Sequence, residues 1–378
     1  MLLTLRDFYW HKTGEKYMKI TVIGAGNSGL AMAGQLALAG HDVILWNRTE
    51  EHIKKIMQTK VIYMEGVIEG KAVLKDATSD LDLALAEPEI VMITPPAFSH
   101  RELAIQFRDY LQSEPLIILS PGRTCGAIEF RHYYNQGNNP NRPLIAEAQT
   151  VIHTCRKISE DLVHLYAIKN AVYLSGLGIV SNEEIYNKLP PDLKQNFQPA
   201  DSMIQTSIGN VGMILHCAPL LLNTGRTEDQ YSDYLYYHQG ITPRIAEYLE
   251  AMDRERMQVA LALDYEVEST SDWLSRSYQS PGNNLYEKIQ NTHAYSEILA
   301  PPTLKHRYIY EDIPYGLVPL EALGHMFDID MSYTSLIIDL GSKLMNENFR
   351  ESGRNLREVD FVDFFQRLVR KDDADEIF

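Results

Sequence analysis

The chain has 378 residues, 45% of them hydrophobic and 23% charged, and a formal net charge of −16. Such a length implies two domains with real hydrophobic cores, and no apolar run reaches the ~20 residues a membrane span needs. The acidic excess argues against nucleic acid or an anionic membrane as a partner, and it requires any site for anionic substrates to be locally basic.

Residues 1–17, MLLTLRDFYWHKTGEKY, lack the long apolar core of a secretory signal. They read as an N-terminal extension, with Met18 an alternative start. Cys125, Cys155 and Cys217 are widely spaced and form no C-x-x-C. They are expected to be reduced thiols of a cytoplasmic protein, not a disulfide or a metal site.

Ile20–Ile23 is a short β-branched run typical of a buried parallel strand. Gly24-Ala25-Gly26-Asn27-Ser28-Gly29 follows at once, Leu30–Ala39 reads as a helix ended by Gly40, and Val43–Trp46 as the next strand. Strand, glycine turn, helix and strand in ~30 residues form a dinucleotide-binding pattern. Gly24 permits the tight turn, Gly26 lets the backbone approach a pyrophosphate, and Gly29 lets the helix pack closely. Asn27 and Ser28 open the helix whose free N–H groups face the phosphates. The alternative is a glycine-rich turn with no ligand. An Asp or Glu at the end of the second strand would accept from the 2′-hydroxyl of NAD. The chain has Trp46-Asn47-Arg48-Thr49 there. Asn47 can donate, Arg48 offers a fork suited to phosphate, and Thr49 adds a hydroxyl. NADP(H) is therefore favoured. NAD(H) is the alternative if Arg48 stacks on the adenine or points to solvent.

Further strands are expected at Ile90–Thr94 and Leu116–Leu119, with a helix from His100 to Leu111 between them, and Pro143–Ala146 leads into Glu147-Ala148-Gln149-Thr150. Ligands of such sheets sit beyond the carboxyl ends of the strands. The turns at 94–100, 120–126 and 147–150 therefore border the nicotinamide, which places Pro95 and Pro96 with the cofactor and Arg123 and Thr150 at the substrate edge. Arg123 reads as a contact to a carboxylate or the cofactor, or else as a surface salt-bridge arginine.

Asn187–Ala200 is polar and proline-bearing and is expected to be a linker. Beyond it, Ser202–Leu215, Thr242–Tyr265 and Tyr333–Met345 show apolar residues at helical spacing. The expected fold is α/β: a doubly wound Rossmann-type domain over 18–195, then an all-α domain over 196–378, with substrate in the cleft between them. In residues 209–228, GNVGMILHCAPLLLNTGRTE, the groups Asn210, His216 and Asn223 are polar in an apolar helix. Pro219 should interrupt that helix and turn the His216 imidazole toward a cleft; the alternative is a satisfied core histidine. In residues 306–324, HRYIYEDIPYGLVPLEALG, Arg307 and Asp312 flank what reads as a rigid turn closed by Pro314 and Gly316. Such turns fix side-chain positions, though charged loop residues are commonly just solvated.

Taken together, these pieces resemble the opine dehydrogenase group, the octopine and nopaline dehydrogenase family. The likeness runs from Lys19 to about Val359. It rests on the order of GAGNSG, PPAFSH, SPGRT, AEAQT, the two long stretches above, and SGRNL at Ser352–Leu356. It implies NAD(P)H-dependent reductive condensation of a 2-oxo acid, pyruvate or 2-oxoglutarate, with the amino group of an amino acid. The product would be an N-(1-carboxyalkyl)amino acid. It further implies His216 as the acid–base group, Asp312 as its partner, and Arg307 on a substrate carboxylate. Arg123 is the candidate for a second carboxylate, and Thr150 and Asn210 fall on the substrate side. Two departures touch that side: Val151-Ile152-His153 stands where members often have Leu-Pro-Tyr, and Cys217 where proline often follows the site histidine. A 2-hydroxy-acid or ketopantoate-type carbonyl reductase is a rival reading, but such enzymes usually use a lysine in the second domain's first helix, and Ser202–Leu222 has none. A non-catalytic NADP-binding sensor is another, and it would need no acid–base pair. The expected partners are small-molecule substrates, and a homodimer is one assembly open to the chain.

Overall fold

The computed structural model describes residues 17–229 and 231–356. The expected extension, apart from Tyr17, and the chain from residue 357 onward lie outside them. The strands are β1 (Lys19–Ile23), β2 (Asp42–Trp46), β3 (Val61–Gly66), β4 (Gly70–Val73), β5 (Asp76–Thr78), β6 (Ile90–Ile93), β7 (Leu116–Leu119), β8 (Leu144–Ala148), β9 (His153–Ser159), β10 (Leu162–Ile168), β11 (Val172–Gly176) and β12 (Phe197–Pro199). An eight-stranded sheet has the order β12-β11-β8-β7-β6-β1-β2-β5. Its six strands from β5 to β8 run parallel, β11 pairs antiparallel to β8, and β12 closes the edge.

The apolar runs read as central strands because both faces are buried. Ile90, Met92, Leu116 and Ile118 enter one core cluster, while Val91, Ile93, Ile117 and Leu119 enter the other. This is the period-two alternation of a strand with helices on both sides. The second of these clusters continues into the helical half through Ile204, Ile214 and Leu317. One core thus joins the carboxyl edge of the sheet to the helices that face it.

A four-stranded sheet, β4-β3-β10-β9, lies over the helix Asn27–Leu38 (α1). Gly34 of α1 faces Met64 of β3 so closely that a Cβ there would strike the thioether. The sequence reading did not anticipate this sheet, whose strands come from two distant segments.

The expected linker is ordered structure. Ser181 caps the helix Asn182–Asn187 with a full capping box, Pro191 opens the short helix Pro191–Lys194, and Phe197–Pro199 pairs with β11. Most of its polar residues face solvent at the sheet edge, while Leu189, Leu193, Phe197 and Ala200 anchor it in the core. The large sheet therefore runs to Pro199, past the boundary expected at 196. All regular elements beyond it among the described residues are helical.

Two expected elements differ in detail. Ser202–Leu215 is interrupted: Met203–Ser207 and Gly212–Leu215 are separate helices. The Ile208 carbonyl is taken by Arg256 Nη1 at 3.0 Å, and Asn210 Oδ1 accepts the Gly212 N–H at 2.9 Å. Residues 307–326 are not a turn but helical, with a wider π-type turn at Ile313–Leu317 between Arg307–Tyr310 and Val318–Met326. Pro314 and Pro319 lack the N–H groups a regular helix would use, and widening accommodates them.

Candidate active site

The glycine turn divides its labour as the pattern implies. Gly24 has φ +94°, and a Cβ there would press on Pro95 Cγ at 2.9 Å. A Cβ on Gly29 would collide with the Gly24 carbonyl, whereas one on Gly26 would meet nothing within 4 Å. The turn therefore leaves open space over the N-terminus of α1, which no side chain caps. That terminus fits a pyrophosphate. Asn47 does not reach outward: its Oδ1 accepts from Ala25 N at 3.1 Å and its Nδ2 donates to Thr49 O at 2.8 Å, tying the glycine turn to the end of β2. Arg48 is exposed and has no ion pair among the described residues. Ser28 lines the cleft described below, and Pro96 precedes the short turn Ala97–Ser99. Lys157 of β9 joins the group unforeseen. Its backbone N donates to Asn27 Oδ1 at 2.8 Å and its Nζ to Ala25 O at 3.1 Å. Nothing in the residues of β9 marks them as partners of a turn so distant in sequence.

His216 stands between the helices Gly212–Leu215 and Cys217–Leu222, at φ −107° and ψ −64°. Pro219 has no N–H for the Leu215 carbonyl. The Tyr236 hydroxyl serves instead, donating to Leu215 O at 3.4 Å and also to His216 O. The interruption turns the imidazole to the cleft wall, where it stacks on Tyr308 with centroids 4.2 Å apart and planes 9° apart. His216 Nδ1 lies 2.8 Å from Asp312 Oδ2. Burial holds the imidazole below its usual 6.5 despite the upward pull of Asp312. Cys217, one of the departures, is buried with its thiol donating to Met213 O at 3.2 Å.

Asp312 is fully buried at the start of the π turn. Burial alone would push its carboxyl up, but Arg123, then His216, overcome this and hold it below the usual carboxylate range. Arg123 Nη1 is 2.7 Å from the other carboxylate oxygen, Oδ1. Arg123 Nε also donates to Glu311 Oε1 at 3.2 Å, and Nη1 to Asn210 Oδ1 at 3.2 Å. Arg123 lines the cleft, and its Nε and Nη1 are engaged by Glu311, Asp312 and Asn210, so it is a buried bridging arginine and not a surface salt-bridge one. Asn210 is likewise engaged. It receives Arg123 and Gly212 N and donates to Gln149 O, so this buried residue organises the site from behind. Glu311, which sequence reasoning did not single out, links Arg123 to Ala97 N at 3.2 Å in the turn after β6.

A cleft of about 610 Å³ opens between the domains. Asn27, Ser28, Arg123 and Thr150 line it from the sheet side, and His216 and Arg307 from the helical side. Arg307 is partly exposed, with Nη1 3.8 Å from Glu311 Oε2, so it has donors to spare. Tyr237, Trp273, Tyr278, Tyr295 and Tyr308 form an aromatic wall, with Tyr237 and Tyr295 stacked at 3.9 Å. His153, in the other departure, also lines the cleft, and its Nε2 lies 2.7 Å from Gln35 Oε1 of α1. The structure thus brings His216, Asp312, Arg307, Arg123 and Thr150 to one place, and the Gly24–Gly29 turn to its rim.

A glycine turn open to a pyrophosphate, followed by a helical domain that adds a His–Asp pair, defines a two-domain dinucleotide-dependent oxidoreductase. Residues 19–126 match the family model for the N-terminus of NAD-dependent glycerol-3-phosphate dehydrogenase, and residues 199–345 that for the α-helical domain of NAD/NADP octopine/nopaline dehydrogenase. The chain is 34% identical over 343 residues to the opine dehydrogenase of Arthrobacter sp. (strain 1C), covering 89% of this chain and 94% of that one. It belongs to the opine dehydrogenase family. The vitopine synthase of Allorhizobium ampelinum is 21% identical over 90% of this chain and 95% of its own. Octopine dehydrogenase in complex with NADH and agmatine shares the fold, with a TM-score of 0.72 at 16% identity over 93% of this chain and 96% of that one. So does NADP+-bound yersinopine dehydrogenase, with a TM-score of 0.73 at 13% identity over 94% and 99%. The chain is an NAD(P)-dependent oxidoreductase of the reductive condensation that yields opines.

Proposed function

We propose that this chain condenses pyruvate or 2-oxoglutarate with the amino group of an amino acid, using His216 and Asp312 as an acid–base pair and NADPH in preference to NADH. The carrying observation is the 2.8 Å contact between His216 Nδ1 and Asp312 at the wall of a cleft that Arg307 also lines. Attack on the oxo acid requires a neutral amine. With Nδ1–H donated to Asp312, Nε2 keeps a free lone pair, and an imidazole below its usual 6.5 is unprotonated at neutral pH. His216 then takes the proton of the substrate ammonium, and the ionised Asp312 stabilises the imidazolium. The amine nitrogen bonds to the carbonyl carbon. One amine proton passes to the alkoxide oxygen, and His216 returns its proton to the resulting carbinolamine hydroxyl, which leaves as water and gives the iminium. Bound NAD(P)H supplies the hydride for that iminium. Arg307 holds a substrate carboxylate by a charge-assisted bond worth ~1.5–3 kcal/mol, and Thr150 lies on the opposite wall.

Arg48, exposed and unpaired among the described residues at the end of β2, supports NADPH, since a 2′-phosphate would give it a partner. The test is NADPH and NADH oxidation over a grid of 2-oxo acids and amino acids, with single-component controls. Oxidation only with both partners is expected, faster with NADPH. Oxidation with an oxo acid alone would replace this reading by carbonyl reduction.

A further inference from the structure

The condensation product carries two carboxylates. Of the two arginines expected to hold them, Arg307 has free donors, while two of the three guanidinium nitrogens of Arg123, Nε and Nη1, are taken by Glu311, Asp312 and Asn210. Another cation lies in the same cleft. Lys169 follows β10, is 6% exposed and lines the cleft, yet it forms no ion pair with any described carboxylate. Its Nζ donates to Val151 O at 2.9 Å. An ammonium has three donors, and burying one without a counter-charge is costly. Among the described residues no carboxylate supplies that charge, so the position suits an anionic ligand.

Its place in the fold says which anion. Lys169 N donates to Ile152 O at 2.7 Å, and Gln149 N to Tyr173 O at 2.9 Å. These bonds pin Lys169 against residues 149–152, directly beyond the carboxyl end of β8, where such sheets receive their ligands. Arg307 comes from the helical domain. Both cations act on Cys155, whose thiol burial pushes up to about 11 while Lys169 and Arg307 pull it down. Lys169, Cys155 and Arg307 all line the cleft, Lys169 from the sheet domain and Arg307 from the helical domain. The oxo acid's carboxylate is bonded directly to the carbon that takes the hydride, so it stays at the sheet edge. The amino acid's carboxylate lies farther off, across the new C–N bond.

Resting on the condensation reading above, we infer that Lys169 binds the carboxylate of the 2-oxo acid and leaves Arg307 for that of the amino acid. The test uses oxamate and N-oxalylglycine, unreactive isosteres of pyruvate and 2-oxoglutarate, titrated into the NADPH-loaded enzyme and read by nicotinamide fluorescence. Lys169→Met should weaken the tighter of the two at least about tenfold, the loss of one charge-assisted bond. NADPH affinity and the KM for the amino acid should stay at wild-type values, and Lys169→Arg should recover part of the loss. Arg307→Gln should raise the amino acid KM and spare the isostere. Wild-type isostere affinity in Lys169→Met would overturn the inference. So would an equal loss of isostere and cofactor, which would make Lys169 only a clasp on the Val151 carbonyl. A wild-type enzyme that turns over no pair in the substrate grid would remove the condensation reading itself, and the inference with it.

Discussion

Arg123 Nη1 stands 2.7 Å from Asp312 Oδ1, while the other oxygen of the same carboxylate faces His216 Nδ1 at 2.8 Å. One buried carboxylate thus bridges a permanent cation of the sheet domain and the imidazole of the helical domain. The domains interlock at this point. Arg123 sits at φ +60°, in the left-handed region unfavourable to a side chain, and the next residue is held by Thr124 N donating to Tyr315 O at 3.2 Å and Thr124 Oγ1 to Gly316 O at 3.3 Å. Such a conformation persists where surrounding contacts over-determine it.

Arg123→Lys keeps the charge but loses the fork that reaches both Asp312 and Glu311. Turnover should fall at least about tenfold with NADPH affinity unchanged. Arg123→Ala strips the buried Asp312 of its guanidinium partner and Glu311 of its nearer one, and urea unfolding should show a loss of ~3–5 kcal/mol. Wild-type turnover in Arg123→Lys would remove the bridging role.

His216→Ala should lower turnover at least ~100-fold while NADPH still binds. The pH dependence has a definite sign. The reductive direction needs the neutral imidazole, and burial lowers its pKa, so kcat/KM should rise with pH to a plateau with a midpoint below 6.5. Asp312 raises that pKa, so Asp312→Asn should move the midpoint lower still as well as slow the reaction. A midpoint moving upward in Asp312→Asn would contradict the pairing.

Arg48→Ala should raise the KM for NADPH about tenfold or more, as expected for one lost phosphate contact. The KM for NADH should hardly change, because Asn47 is occupied with Ala25 and Thr49 and adjusts to neither nucleotide. Equal effects on the two cofactors would show that Arg48 does not read the 2′-phosphate.

Gly26→Ala and Gly29→Ala should fail differently. A methyl at Gly26 meets nothing in the protein, and φ is −80° there, so the fold should keep its melting temperature while cofactor affinity drops. A methyl at Gly29 collides with the Gly24 carbonyl, so that variant should lose thermal stability before any question of binding arises. Thermal denaturation with NADPH titration separates the two.

Much of the chain was legible from local signals. The β1 run, the glycine turn and α1 are read from nearest neighbours, and burial on both faces makes β6 and β7 unbroken apolar runs. Pro219 announced the interruption at His216, because a missing N–H is a local fact. His216, Arg307 and Asp312 were marked by the family's spacing, and the fold brings them to one cleft. What composition and periodicity could not supply were pairings between distant segments. The small sheet joins residues 61–73 to 153–168, so Lys157 reaches the glycine turn only after the chain has folded over α1. The commitment of Arg123 is of the same kind. Its type and place at a strand end suit a substrate carboxylate, and only the docking of the π turn, which sets Asp312 and Glu311 beside it, determines that its Nε and Nη1 bridge those buried carboxylates. The converse holds for Lys169, an unremarkable lysine in sequence that the packing of residues 149–152 buries without a counter-ion among the described residues. Residue type and short-range order specify which elements form. Which charges are neutralised depends on contacts between residues far apart in the chain, and those exist only in the tertiary structure.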